Sequence, residues 1–387
     1  MQLYTISGLT IYIINPQLIP PLFKDSLDHF KAEKPKEERA DIVLHVEYGR
    51  PEECVAVLSS GVLTVCAANK DTTVFRFTRK PKCALRCSHD SGQTTLYLYD
   101  DKELSCPELS EQVRVLFRMM FEQTVASRGI LSLHASAFVW KGEAICVTGP
   151  SGSGKSTLTK NWMKAVPASY ILNGDRPVIC LTNEPPLVCG APWSGAENIF
   201  INERAPLRAI IEVKQHCVNK IQKLDPRRAY HLILKRISKP QWNTEATVQV
   251  IGTMERLISK IPVYRFYCED NPSAGKFLHR ALADANKISS IPEGEKDMKI
   301  KEGFVTRKVL DDYMAVPVGS GSTAAAGAIM LNDVGFYLWE KLAQPTTEEA
   351  LLECLLSEYD INDAVAAEDL SAFLQTLRKA GALEEDE

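Results

Sequence analysis

The chain lacks any apolar run approaching the ~20 residues needed to cross a bilayer as a helix. Its N-terminus has no basic stretch leading into an apolar core and a small-residue cleavage site, so no signal peptide is expected. These two absences point to a cytoplasmic protein with no membrane partner. An excess of positive charge is also missing: 45 Lys and Arg stand against 49 Asp and Glu, a net of −4. Without a bulk electropositive surface, DNA and RNA are not expected partners. The 11 cysteines include no Cys-x-x-Cys pair. Cys83 and Cys87, with His89 after them, form the closest spacing, but no second ligand pair stands nearby for zinc. Reduced, half-buried thiols are the expectation. His29, His45 and His89 read as ordinary surface or core histidines.

What is present begins with residues 149–156, Gly-Pro-Ser-Gly-Ser-Gly-Lys-Ser, a complete G-x-x-x-x-G-K-[ST] phosphate loop. A short apolar run, Glu143 to Thr148, precedes it as a strand, and Thr157 to Lys164 can follow as a helix. Gly149, Gly152 and Gly154 permit tight turns that aim successive N–H groups into one concavity, where a helix N-terminus adds positive potential. Ser151, Ser153 and Thr157 complete the cradle. Lys155 is placed to reach the β- and γ-phosphates, and the Ser156 hydroxyl to hold Mg²⁺. Downstream, the apolar strand Ser169 to Asn173 ends at Gly174-Asp175-Arg176-Pro177. A carboxylate at the carboxyl end of a strand beside a phosphate loop is placed to organise Mg²⁺, so Asp175 is a metal-site candidate. Arg176 reads either as a charge-neutralising group or as a structural partner of a carboxylate.

The length predicts two or three domains. Residues 1–129 read as a β-rich region with strands at 9–14, 41–46, 73–78 and 94–99. A helix closes it near 111–128, its Met and Phe stripe serving core packing. Residues 130–286 alternate strands and helices, which predicts an α/β sheet. They include the rigid loop Gly190-Ala-Pro-Trp-Ser-Gly195, strands at 205–213 and 263–268, and a helix from Asn271 to Ala285 started by Pro272. Residues 287–299 read as a linker of charge, Pro and Gly. Residues 300–387 read as a small winged-helix-like α+β module. Its predicted strands at 304–309 and 313–318 are joined by Asp311-Asp312, with a third at 328–331. Helices follow at 333–343, 347–357 and 363–380, with Asn332, Thr346 and Asn362 as N-caps and Gly381 as the last stop.

Leu133-His-Ala, the run Val147 to Thr157, Leu172-Asn-Gly-Asp-Arg-Pro-Val178 and Gly190 to Gly195 together resemble the catalytic domain of HPr serine kinases. That family is similar in fold to phosphoenolpyruvate carboxykinase. The resemblance implies ATP and Mg²⁺ as cofactors, with Lys155 on the β-phosphate and Ser156 and Asp175 on the metal. It also implies His134 near the transferred phosphoryl group. The family usually places two aspartates side by side, one as base and one for the metal; this chain has Gly174 where the first belongs. Members are commonly hexameric, so a homo-oligomer is a further implication.

Lys301-Glu-Gly-Phe-Val-Thr-Arg307, Leu331 to Glu340 and Thr347-Glu-Glu-Ala-Leu-Leu352 resemble a PqqD-type peptide-recognition domain. Such domains bind the leader of a ribosomally made precursor peptide as an added strand. The combined expectation is a kinase acting on a Ser or Thr hydroxyl of that precursor, with Lys155, His134, Asp175 and Arg176 in the catalytic roles. Two alternatives stand beside it. One is a non-catalytic nucleotide-binding recruitment module, which Gly174 makes credible. The other is a carboxykinase-like or small-molecule kinase, for example one acting on free serine. A structural adaptor with a relic phosphate loop is the last reading.

Overall fold

Alternation of apolar and polar residues builds the first sheet. The computed structural model describes the chain outside residues 34–39, 70–71, 89–92, 151, 196–198, 217–218, 269–271, 285–287, 291–296, 310–311, 319–327, 360 and 386–387. Ser151, His89, Asp311 and much of the expected linker therefore lie outside the described residues. Strands β1 (Gln2–Ile6), β2 (Leu9–Ile14), β3 (Ile42–Tyr48), β4 (Val55–Ser59), β5 (Leu63–Asn69), β6 (Thr72–Phe77), β7 (Cys83–Ser88) and β8 (Gln93–Leu98) form one sheet. Their order is β1-β2-β3-β8-β7-β6-β5-β4. Leu9, Ile11 and Ile13 of β2 and Ile42, Leu44 and Val46 of β3 point to the same core. Helices α1 (Pro21–Asp28) and α2 (Pro107–Val125) cover that face, and Phe23 meets Phe117 edge-on with centroids 5.3 Å apart.

Four strands were expected here and the sheet has eight, because β1, β4, β5 and β7 carry little alternation of their own and are fixed by pairing. Buried packing crosses residue 129. The core under α2 continues into Val178, Cys180, Cys189 and Trp193, so the N-terminal region and the next share buried surface.

The second sheet comprises β9 (Ile130–Ser132), β10 (Ala135–Trp140), β11 (Glu143–Thr148), β12 (Ser169–Asn173), β13 (Val178–Cys180), β14 (Leu187–Cys189), β15 (Arg204–Gln215), β16 (Lys220–Lys223), β17 (Val263–Cys268) and β18 (Ser289–Ser290). At its centre β11, β15 and β17 run parallel, buried on both faces as parallel strands are. Helices α3 (Lys155–Ala165) and α6 (Ser273–Ala283) cover one face, and α4 (Pro226–Leu234) and α5 (Thr244–Lys260) the other. Gly275 allows α6 to approach α3: a Cβ there would lie 2.5 Å from the Asn161 carbonyl oxygen.

The last module begins with β19 (Met298–Ile300), which pairs with β23 (Leu383–Glu385) and zips its two ends together. Between them lie a meander of β20 (Phe304–Val309), β21 (Asp312–Pro317) and β22 (Ile329–Leu331), then α7 (Asp333–Lys341), α8 (Glu348–Glu358) and α9 (Asp363–Lys379). Its core runs from Met298 to Leu383 as one cluster. Asn332 and Asn362 cap α7 and α9 as expected, and Gly381 takes φ +65°. The middle cap is corrected: the Thr347 hydroxyl, not that of Thr346, accepts from the Ala350 N–H, and Thr346 is turned into the interior.

The expectation of reduced thiols fails at Cys354, which is disulfide-bonded; α8 is packed so that its sulfur lies 3.5 Å from His216 Nε2. Cys83 and Cys87 are free, and burial pushes both thiols up to about 12. No described helix is long and apolar enough to cross a membrane.

Candidate functional site

Strand β11 delivers the chain into the Gly-rich loop, and α3 leaves it at Lys155. Three glycines take conformations that side chains rarely adopt: Gly149 (φ +152°), Gly152 (φ +79°) and Gly154 (φ +90°), the last as the N-cap of α3. At Gly149 a Cβ would lie 2.5 Å from Ser153 Oγ and 3.1 Å from the Val213 carbonyl oxygen, so only glycine fits. The Ser153 hydroxyl is buried without a described partner. Ser156 and Thr157 are exposed at the start of α3. Lys155 folds back over the loop, its Nζ donating to the Gly149 (3.0 Å) and Pro150 (2.7 Å) carbonyls. Burial, and then the nearby Arg236, push its ammonium pKa down, and Asp175 partly offsets them.

The second wall comes from the end of β12. Asn173 is fully buried and acts as a clamp: its Nδ2 donates to the Ala191 (3.1 Å) and Trp193 (3.2 Å) carbonyls. Its Oδ1 accepts from the Asp175 N–H at 3.1 Å. The Trp193 indole donates to the Arg176 carbonyl at 2.9 Å, which ties the Gly190 to Gly195 loop to the same turn. Arg176 takes φ +57°, a left-handed conformation that costs a non-glycine residue and that surrounding bonds must hold. Its N–H donates to the Ala135 carbonyl (3.1 Å), and its Nη1 to Ser238 Oγ (3.0 Å). Gly174 donates to the Ile199 carbonyl at 2.8 Å, and a Cβ there would come 3.3 Å from that oxygen. The turn is therefore tight where the resembled family carries its first aspartate.

His134 precedes β10 and completes the site. Its N–H donates to the Arg236 carbonyl (2.9 Å), and its own carbonyl accepts from Thr148 Oγ1 (2.7 Å). Its Nε2 stands 3.6 Å from Asp175 Oδ1. Burial lowers the imidazole pKa, Asp175 opposes that shift, and Arg176, Lys155 and Arg236 add to it. The ring is thus held neutral near pH 7 beside a carboxylate.

The structure brings Lys155, His134, Asp175 and Arg176 to one site next to the glycine loop, with Ser156 and Thr157 at its rim. The sequence reading missed three contributors. Arg236 follows α4 and has a buried Nε without a described partner, yet no local pattern marks it. Asn173 carried a signal, a polar residue closing an apolar strand. In sequence, Trp193 reads only as an aromatic in a rigid loop.

The donor set at this loop is of the kind that a nucleotide tail with Mg²⁺ would need. The loop has glycine wherever its backbone must turn inward, an orphaned hydroxyl at Ser153, and an ammonium and one carboxylate within electrostatic reach of each other. Mg²⁺ ordinarily takes one or two protein oxygens and fills the rest with phosphate and water. No group of three or more His, Cys, Asp or Glu side chains able to hold a metal occurs among the described residues.

Outside this site, residues 322–383 match the family model for coenzyme PQQ synthesis protein D. They form a PqqD domain. The match takes in β22, α7, α8 and α9, and the PqqD domain packs its own core of Leu338, Leu351, Leu355, Leu370 and Leu374. The solved structure "TbiB1 in Complex with the TbiA(beta) Leader Peptide" is similar at 23% identity, over 22% of this chain and 94% of that one, with a TM-score of 0.19. No curated protein matches the chain.

Proposed function

We propose that the chain is an ATP- and Mg²⁺-dependent kinase that phosphorylates a Ser or Thr hydroxyl of a ribosomally made precursor peptide captured by its PqqD domain. One observation carries the catalytic half: His134 Nε2 lies 3.6 Å from Asp175 Oδ1 beside the Lys155 end of the glycine loop. The PqqD domain supports the other half, recognition of a precursor peptide in a modification pathway.

The backbone of residues 149–157 and Lys155 would hold the nucleotide, and Ser156 and Asp175 the metal. Bound Mg-ATP supplies the phosphoryl group and neutralises the charge that develops on it. His134, neutral near pH 7, takes the acceptor hydroxyl proton at Nε2, and Asp175 stabilises the imidazolium. With glycine at 174, Asp175 is the carboxylate this turn supplies, and the imidazole takes the proton-accepting role. Lys155 and Arg176 offset negative charge in a half-buried site, where such charges act more strongly than in water. The leader would add as a strand at a free edge of the β20-β21-β22 sheet. Tethering then makes the second encounter intramolecular, at an effective concentration of about the millimolar range for short linkers.

The test is incubation of the protein with Mg-ATP and a full-length precursor peptide encoded beside its gene, read by mass spectrometry. A phosphopeptide that disappears with Lys155→Ala is expected. Peptide binding with no mass change would replace the kinase with a nucleotide-dependent recruitment module, the reading that Gly174 favours. A variant lacking residues 298–387 should lose peptide capture and keep nucleotide affinity. Capture that survives the truncation removes the recruiter role.

A further inference from the structure

Helix α2, from the N-terminal region, passes the Asp175 side of the site and presents two guanidinium groups to it. Three guanidinium groups (Arg114, Arg118, Arg176), two carboxylates (Glu111, Asp175) and Trp193 line a cleft of about 110 Å³ there, and Glu111 is already engaged by Arg114. That volume holds a carboxylate and its carbon, not merely one water. Arg114 is fixed by Glu111 and by the Ser194 carbonyl. Arg118 pairs with Glu122 at 3.2 Å, both side chains largely buried. Arg176 donates to the neutral Ser238 hydroxyl. Burial disfavours the Arg176 charge and the Arg118 charge disfavours it further, while Glu122 and Asp175 offset part of this, so the two guanidinium groups share one half-buried cleft with their counter-charges at its edge. Guanidinium forks bind carboxylates bidentately, and an anion between them relieves their repulsion.

We infer that this cleft is a carboxylate site on the acceptor side: Arg118 and Arg176 hold a carboxylate that flanks the hydroxyl to be phosphorylated, placing that hydroxyl beside Asp175. The inference rests on the kinase reading for its role, but the binding it asserts is measured without phosphoryl transfer. The carboxylate can belong to a chain terminus or to an acidic side chain.

The experiment uses the full chain with saturating Mg-ADP and ligand-observed NMR. The probes are N-acetylserine, N-acetyl-Asp-Ser-amide and the neutral N-acetylserinamide. At least one acidic probe should bind about tenfold or more tighter than the neutral one, and which one does so identifies the carboxylate's source. Arg118→Gln should erase that preference, and Arg118→Lys should keep part of it. Unchanged ADP affinity in both variants reports an intact fold. Equal binding of acidic and neutral probes to the wild-type chain, or a preference that survives Arg118→Gln, overturns the assignment. An intact preference in a protein that never yields phosphopeptide removes the kinase and leaves the carboxylate site standing.

Discussion

At the residue scale, the site is a balance between burial and charge around His134. Burial and three cations, Arg176, Lys155 and Arg236, hold the imidazole pKa below its ordinary value, against the pull of Asp175. A base with a lowered pKa stays neutral, and so competent, to a lower pH than a free histidine. The acid limb of the rate profile is therefore expected to have its midpoint below about 6.5, the unperturbed value. Asp175→Asn removes the opposing charge and should move that limb further down while reducing kcat. A midpoint above 6.5 in steady-state assays would rule out His134 as the base. The glycine loop and Lys155 were legible in the sequence because their chemistry is local: consecutive residues form the cradle. Arg236 was not, since the fold alone brings it from the end of α4 to His134.

At the element scale, glycine separates positions that need close approach from those that do not. Gly275 of α6 has the Asn161 backbone against it, whereas Gly252 of α5 has nothing within 4 Å. Gly252→Ala should stabilise the protein by roughly 0.5–1 kcal/mol through helix propensity. Gly275→Ala should destabilise it, because two packed helices must separate. Thermal melting of the two variants checks both, and a matching shift in Tm would contradict the α3–α6 contact. The neighbouring threonines before α8 make a similar pair. Thr347→Ala should cost about 1 kcal/mol as a lost N-cap. Thr346→Val should be neutral or stabilising, because its buried hydroxyl has no described partner. Sequence placed this cap one residue early. Either threonine suits the start of α8, and only the pairing of Thr346 with Met298 turns its side chain inward.

At the scale of the whole molecule, a buried ion triad connects the segment just before β19 to the sheet that carries the glycine loop. Arg265 of β17 meets Glu212 of β15 at 2.8 Å and Asp297 at 2.7 Å. Burial opposes the guanidinium charge, but the two carboxylates more than offset it and keep it firmly protonated. Glu212 pairs in register with Thr148, the last residue before the loop. Arg265→Met leaves two largely buried carboxylates without their cation and should cost about 3–5 kcal/mol. Denaturant unfolding measures this; a loss below about 1 kcal/mol would show that the triad is solvated in solution. Lys220 adds a second tie, reaching Glu349 (3.0 Å) and Glu353 (3.3 Å) of α8.

The sequence by itself determined the strand–loop–helix around Lys155, the position of Asp175 just past a strand end, and the PqqD module at the C-terminal end. Each depends on residues close together in the chain, where turn conformation, hydrophobic period and capping are set by neighbours. Tertiary structure alone decided that α2 lends Arg114 and Arg118 to the Asp175 side, and that Asn173 clamps the Trp193 loop. It also decided that the first two regions share a core. Those are contacts between segments far apart in sequence, chosen by which faces can be buried together, and no local pattern encodes them.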